Sequence, residues 1–172
     1  SSPTNEFSGV VDGITINAVA VGAGETLSVT EDKTSVTEKI DVFIANCNGL
    51  VDTFNALGSF DAATEAAGLL LGDSTLRGVQ NAIRQALSSS VSGLSGSFST
   101  LAELGITTDE EGKLTLDSDT LDTLLVSDFD QVGELFAASN GLANTLDTII
   151  EGYIGTNGTI ETRTSGLQTS ID

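Results

Sequence analysis

The chain has 172 residues, with 25 acidic against six basic side chains and a formal net charge of -19 at pH 7. So acidic a surface repels nucleic-acid phosphates and anionic lipid headgroups, which argues against nucleic-acid binding and peripheral membrane binding. No apolar run approaches the length of a transmembrane span, so we expect no membrane insertion. The sequence has no histidine and one cysteine, so no triad containing histidine can form, and a zinc site would depend on one thiol and carboxylates. We expect one main domain, no enzymatic activity and no cofactor, with a function that depends on shape and surface.

Residues 1–32 are predicted to form a short β segment. Ile14 and Ile16 flank a polar residue, Leu27 and Val29 do the same, and glycines separate the two stretches. Alternation of apolar and polar residues is typical of half-buried strands. We expect two or three short strands here, too few to bury a hydrophobic face without another element to pack on.

A long amphipathic helix is predicted from Thr34 onward, because the hydrophobic period changes from two to about three and a half. Cys47 lies on the apolar seam of this helix, which favours a buried small hydrophobe over a reactive thiol. The seam consists of Val36, Ile40, Phe43, Cys47, Leu50, Phe54 and Leu57.

A second helix is predicted to begin at Asp73 or Ser74, since either side chain can cap exposed amides. Arg77 and Arg84 are seven residues apart and therefore share its polar side. They form either a solvated face with weak ion pairs or a docking stripe for an acidic neighbouring subunit. The opposite, apolar face is predicted to carry Leu76, Val79, Ile83, Leu87 and Val91.

A small β-hairpin is predicted over residues 105–117, with Gly112 in its turn. The hairpin is rich in carboxylates, yet the order of ligands that an EF-hand requires is absent, so we interpret these residues as turn formers. The carboxylates are Asp109, Glu110, Glu111 and Asp117.

Several helices are predicted in the last third of the chain. Asp117 or Ser118 can cap a short one, and Ser127 with Asp130 resembles a capping box that opens the next. The final apolar stripe runs to the end of the sequence without a cap, which favours continuation into a longer coiled coil. The predicted fold is a helix-dominated α+β fold, with amphipathic helices packed as a bundle, a small hairpin and short strands at the start.

Six short pieces of the sequence, in this order, resemble the C-terminal half of the flagellar hook-associated protein 2 family, the filament cap proteins. The resemblance covers about residues 26–172, and residues 1–25 match only in being β-like. The pieces are Gly68–Arg77, Leu101–Asp109, Gly112–Asp117, Leu135–Phe136, Gly141–Ala143 with Leu146–Asp147, and Gly158 with Ile160, Arg163 and Leu167.

This resemblance implies an exported, extracellular protein that oligomerises at the distal tip of the flagellum and promotes insertion of flagellin. Its implied partners are copies of itself, flagellin and the hook-filament junction proteins. Residues 33–172 would then be a helical leg domain that leads into a truncated terminal coiled coil, and residues 1–32 would be a remnant of, or junction to, a β-rich head domain.

Three other functions stay open at the level of sequence. A flagellin or a hook-filament junction protein would share the acidic, helix-rich composition. An extracellular adhesin that binds mucin or another host glycan is compatible with the same surface. A hydrolase that uses paired carboxylates is the third, although no single pair stands out among so many acidic residues.

Overall fold

The computed structural model describes residues 4–11, 14–22, 24, 26, 28, 30–63 and 65–171. The chain divides into two compact units, Ser1–Glu31 and Asp32–Asp172. The described elements of the two units, taken together, give the helix-dominated α+β fold that the sequence predicts.

The first unit contains one antiparallel hairpin, formed by β1 (Glu6–Val11) and β2 (Ile14–Asn17). Phe7 lies opposite Ile16, and the register is irregular toward the turn. The backbone N–H of Ala18 donates to Asn5 at 2.8 Å, which extends the ladder by one bond. The alternation of apolar and polar residues around Thr15 therefore predicted this strand correctly.

A further strand was predicted around Leu27 and Val29, but both of these residues lie outside the described part of the chain. The same holds for Ala23, between the glycines that separate the two stretches, and for Asp172, where the last apolar stripe stops.

The second unit holds six helices and two small antiparallel hairpins among its described residues, with a single 3₁₀ turn at Ala102–Leu104. β3 pairs with β4, and β5 pairs with β6. In chain order the elements are α1 (Lys33–Gly58), β3 (Phe60–Asp61), β4 (Ala66–Ala67), α2 (Ser74–Ser88), β5 (Ile106–Thr108), β6 (Leu114–Leu116), α3 (Ser118–Ser127), α4 (Phe129–Ala137), α5 (Leu142–Ile154) and α6 (Thr159–Ile171).

Helix α1 begins where Asp32 caps it, because the Asp32 carboxylate accepts a hydrogen bond from the Ser35 N–H at 3.0 Å. Its apolar seam is divided between two hydrophobic cores, one along each half of the helix. Val36, Ile40, Phe43 and Cys47 pack into a larger core, whereas Leu50, Phe54 and Leu57 pack into a smaller one.

The larger core is the closed one, because its innermost side chains are fully buried. Helices α3, α4 and the start of α5 pack over the first half of α1, together with the β5–β6 hairpin and the loop before it. The rings of Phe43 and Phe136 meet edge to face, with centroids 5.6 Å apart. The side chains buried here are Ile40, Phe98, Leu101, Leu104, Ile106, Leu114, Leu121, Leu125, Val132, Leu135 and Leu142.

The smaller core lies between the second half of α1, helix α2 and helix α5. Among the described residues, Phe54, Leu76 and Ile83 are the side chains buried in it. Its remaining members are partly exposed: Leu50, Leu57, Val79, Leu87, Leu146 and Ile149. Helix α6 packs on α5 at the edge of this core without burying any residue of its own.

The hairpin predicted over residues 105–117 is present and is tied to α1 by polar contacts. The Asn48 side chain donates to the carbonyl of Leu114 at 2.9 Å and accepts from the Leu114 N–H at 2.7 Å. Lys113 forms an ion pair with Asp52 of α1 at 2.7 Å. Gly105, which precedes β5, adopts a φ of +87°, a conformation that a residue with a side chain rarely takes.

Two local predictions are wrong. Val91 was placed on the apolar face of α2, but α2 ends at Ser88, and Val91 packs against the larger core from the loop that follows. Ser127 does not cap α4, because it is the last residue of α3 and its hydroxyl donates toward Asp128 at 2.6 Å. Asp128 occupies the cap position, where its carboxylate accepts a hydrogen bond from the Gln131 side chain at 2.9 Å but none from a backbone N–H of the first turn. The short-range cap signal was therefore misplaced by one residue.

Candidate interaction surfaces

Arg77 and Arg84 are both exposed and lie on the same side of α2. Within the described part of the chain, neither guanidinium forms an ion pair, whereas Lys113 and Arg163 each do. The two arginines are separated by two helical turns, about 10 Å along the axis. In a chain with 25 acidic residues, two cations left open on one helix face can attract a negatively charged partner.

Each of these arginines borders a surface depression between α1 and α2. Arg84 lines a depression of about 290 Å³ that also contacts the turn of the β5–β6 hairpin at Gly112. Arg77 lines another of about 400 Å³ near the end of α1. Phe54, Asn55 and Gln80 line both depressions, so they lie next to one another. We call this continuous region the arginine face.

A third arginine, Arg163 of α6, makes polar contacts with α2 that the sequence did not predict. One guanidinium nitrogen lies 2.6 Å from an Asp73 carboxylate oxygen. The other donates to the second Asp73 oxygen at 2.9 Å and to the Thr75 hydroxyl at 2.6 Å. We call this three-residue contact the Arg163 clasp.

Asp73 has two roles in this clasp, because the same carboxylate also caps α2. It accepts hydrogen bonds from the N–H groups of Thr75 at 2.8 Å and Leu76 at 3.0 Å. The bond from Arg163 and these amide bonds lower the pKa of Asp73 from 3.8 to about 2. The cap on Asp73 was predicted, but its partner is 90 positions away in the chain, beyond the reach of any local pattern.

An apolar groove opens above the smaller core, with a cavity of about 600 Å³. Four helices line it: α1 through Leu50 to Leu57, α2 through Leu76 to Ile83, α5 through Ile149 to Ile154, and α6 through Ile160 to Leu167. The Arg163 clasp lies at its rim. Apolar side chains around the groove remain exposed, among them Leu70, Ile150, Ile154, Ile160 and Leu167.

The carboxylates of the hairpin region satisfy the backbone around them. Asp109 accepts from the N–H groups of Glu111 and Lys113, at 2.9 and 2.8 Å, and so closes the hairpin turn. Asp117 caps α3 and accepts from the Thr120 hydroxyl at 2.9 Å, which lowers its pKa. Across the residues that the structure describes, no three metal-binding side chains come together.

Cys47 is half-buried in the seam of α1, and burial raises the pKa of its thiol. A raised pKa keeps the thiol protonated and weakly nucleophilic at neutral pH. In the described residues, no helix has both the length and the hydrophobicity to cross a membrane.

The fold defines a class of protein: a helix-dominated α+β module, here with an exposed arginine face and an open apolar groove. Comparison with known proteins identifies the family. The flagellar hook-associated protein 2 C-terminus matches the chain over residues 1–172. The chain belongs to the flagellar hook-associated protein 2 family, as the resemblance predicted.

Individual relatives agree with this assignment. Flagellar hook-associated protein 2 of Escherichia coli strain K12 is 34% identical over 154 residues, a match that covers 83% of this chain and 32% of that protein. The B-type protein of Pseudomonas aeruginosa is 32% identical over 178 residues and covers 99% of this chain and 37% of its own length. The chain thus spans about a third of the length of these curated relatives.

A solved structure has the same fold. The crystal structure of the flagellar cap protein FliD D1-D2-D3 domains from Escherichia coli superposes with a TM-score of 0.83 at 36% sequence identity. The match covers 94% of this chain and 45% of that chain. More than half of the solved polypeptide therefore has no counterpart in these 172 residues.

Proposed function

We propose that this chain is part of a flagellar filament cap, a structural protein that oligomerises at the distal tip of the flagellum and promotes insertion and polymerisation of flagellin. The likeness to the solved cap protein over nearly the whole of this chain carries the proposal. The proposed location is extracellular, and the proposed partners are further copies of the protein, flagellin and the hook-filament junction proteins.

In this proposal the helical unit is the leg of the cap, next to the filament, and residues 1–32 are the junction to a β-rich head. Helix α6 leads into the terminal coiled coil. A cap must hold its subunits together and yet yield as each flagellin enters, which favours modest, partly polar contacts over a large apolar interface. The arginine face suits such a contact, since Arg77 and Arg84 are exposed and lack ion-pair partners in the described residues.

We propose that the arginine face docks on an acidic surface of the neighbouring subunit. Subunits with this net charge repel one another, and local attraction at two cations offsets part of that repulsion. The test is Arg77→Glu with Arg84→Glu in the full-length protein, expressed in a strain that lacks its own cap protein. We expect a weaker oligomer by sedimentation and a smaller swimming halo.

Lys39→Glu is the control for charge reversal, because Lys39 is an exposed cation on α1 away from the arginine face, and its replacement makes the same charge change as each arginine substitution made singly. It should leave assembly and swimming intact. Normal oligomers and swimming in the double arginine variant would refute docking through this face. Failure of the unaltered full-length protein to restore flagellin polymerisation in the deletion strain would refute the cap function itself.

A further inference from the structure

The arginine face combines positive charge with an apolar depression. The depression beside Arg84 has a volume of about 290 Å³, and its lining includes the side chains of Leu50, Val51 and Phe54. We call this depression the recess. Within the described residues Arg84 forms no ion pair, even though Glu111 belongs to the same lining. A cation next to an apolar recess fits a partner that presents a carboxylate next to an aliphatic side chain.

Helix α3 of the same chain presents such a surface. Its inner side is buried in the larger core through Leu121 and Leu125. Its outer side carries Asp119, Asp122 and Val126, all three exposed, and the valine is 73% exposed. Neither aspartate belongs to an ion pair of the described residues. Acidic and aliphatic groups therefore lie together on the outer side of α3.

The exposed groups on α2 and on α3 have the same spacing. Each helix presents three positions along one side, separated by three and then four residues, a span of two turns or about 10 Å. The positions are Arg77, Gln80 and Arg84 on α2 and Asp119, Asp122 and Val126 on α3. When the two helices lie side by side in the same direction, Asp119 meets Arg77. Val126 then reaches the recess beside Arg84.

Within one molecule α3 and the arginine face do not meet. Helix α3 supplies no residue to the lining of either depression of the arginine face, and its buried Leu121 fixes it to the larger core. The α3 that meets the arginine face must therefore come from a second copy. Because the two surfaces are different, the contact is heterologous: it can repeat from subunit to subunit and closes into a ring where the rotation between subunits allows it.

We propose that the arginine face of one copy binds the outer side of α3 of a neighbouring copy, with Val126 in the recess and Asp119 and Asp122 against the arginines. This inference rests on the proposed docking of the arginine face and names the surface that it meets. The carboxylates supply opposite charge to a contact between chains of net charge -19, and the valine adds apolar burial that salt does not screen. A contact of two helical turns is small, so each one is weak and the assembly depends on several together.

The test exchanges charges in the full-length protein, and sedimentation measures the dissociation constant of the oligomer. Asp119→Arg with Asp122→Arg should raise this constant about tenfold, even though it makes each chain less negative, which by itself favours association. Combined in one chain with Arg77→Glu and Arg84→Glu, it should return the constant to within about threefold of the original, because the charge pairs re-form with reversed signs. Unchanged or tighter association of the aspartate variant, or no recovery in the combined variant, would overturn the proposal.

Glu38→Arg with Asp41→Arg is the matched control, because both residues are exposed on α1 and are three positions apart, like Asp119 and Asp122. By itself this pair of substitutions should not weaken the oligomer. Added to the two arginine-to-glutamate substitutions, it should not restore the oligomer, although the net charge is then the same as in the combined variant. Recovery in this control would show that net charge, and not contact with α3, governs assembly, and would refute the proposal.

Val126→Ser tests the apolar part of the contact without changing charge. We expect it to raise the dissociation constant about tenfold, because a valine that enters the recess loses most of its apolar burial. Val42→Ser is its control, since Val42 is 59% exposed on α1, and it should change the constant by less than about twofold. Equal effects of the two substitutions would refute the placement of Val126 in the recess.

Failure of this contact is distinguishable from failure of the broader proposals. If the double arginine variant weakens the oligomer but the combined variant does not recover, the arginine face docks on a surface other than α3, and this inference alone is refuted. Restoration of flagellin polymerisation by the unaltered protein in the deletion strain reports on the cap function separately.

Discussion

The two cores of the helical unit share helix α1 but differ in how deeply their side chains are buried. In the larger core, Leu121, Val132 and Leu104 are wholly inaccessible to solvent. The smaller core has three buried side chains and an open groove above them. The difference teaches that apolar burial, and with it the stability that burial provides, is unevenly distributed along one helix.

The largest expected effect comes from shortening a side chain in the closed core. Leu121→Ala removes a side chain with 0% exposure and should lower the free energy of unfolding of the 172-residue chain by about 2–5 kcal/mol. Ile150→Ala, at 42% exposure in the groove, should cost less than about 1.5 kcal/mol. Urea unfolding of both variants checks this. Equal costs would contradict the contrast between a closed and an open core.

A smaller effect is expected where the hairpin joins α1. Asn48→Ala leaves the N–H and the carbonyl of Leu114 without their side-chain partner, which should cost about 1–3 kcal/mol. Asn55→Ala on the same helix is the control, because its side chain is exposed, and it should change stability by less than about 0.5 kcal/mol. Urea unfolding and the exchange rate of the Leu114 amide measure the loss. An unchanged exchange rate in Asn48→Ala would show that Asn48 does not secure the closed core.

The smallest expected effect concerns the Arg163 clasp and depends on pH. Because the folded-state pKa of Asp73 is lowered from 3.8 to about 2, its contribution is present above pH 3.8 and is lost as the pH falls toward 2. Arg163→Gln removes the largest cause of that shift, so the Asp73 pKa should rise toward 3.8. Titration of the Asp73 carboxyl by NMR measures this.

Lys113→Gln serves as the control for this titration, since it breaks the ion pair with Asp52 on the closed side and does not touch Asp73. The Asp73 pKa should then stay at about 2. If Arg163→Gln also left it there, the amide bonds of the α2 cap would be its sole cause, and the clasp would play no part in positioning α6.

Local signals in the sequence predicted much of the fold. The seam from Val36 to Leu57 predicted α1, and Asp73 predicted the start of α2, because periodicity and caps depend on residues within a few turns of each other. The hairpin at 105–117 followed from its turn chemistry. Where neighbouring side chains compete for one cap, as Ser127 and Asp128 do, the prediction was off by one position.

The sequence predicted only part of the candidate surfaces. Spacing alone placed Arg77 and Arg84 on one side of α2. It did not show whether acidic residues would pair with them. Arg163 belongs to one of the six pieces that carry the family resemblance, but the sequence assigned it no role. Its partners Asp73 and Thr75 are distant in the chain, so no local pattern links them. The open groove had no local signature either, because its four walls come from helices spread over more than a hundred residues.

The sequence by itself determined which stretches are helical, which faces of them are apolar, and that the surface is acidic and lacks histidine, because each of these depends only on residue type and short spacing. Only the tertiary structure decided that the seam of α1 is divided between a closed core and an open one, and where apolar surface is left uncovered. It also decided that, among the residues the structure describes, Arg163 forms an ion pair while Arg77 and Arg84 do not. These outcomes depend on contacts between distant parts of the chain, which local periodicity does not encode.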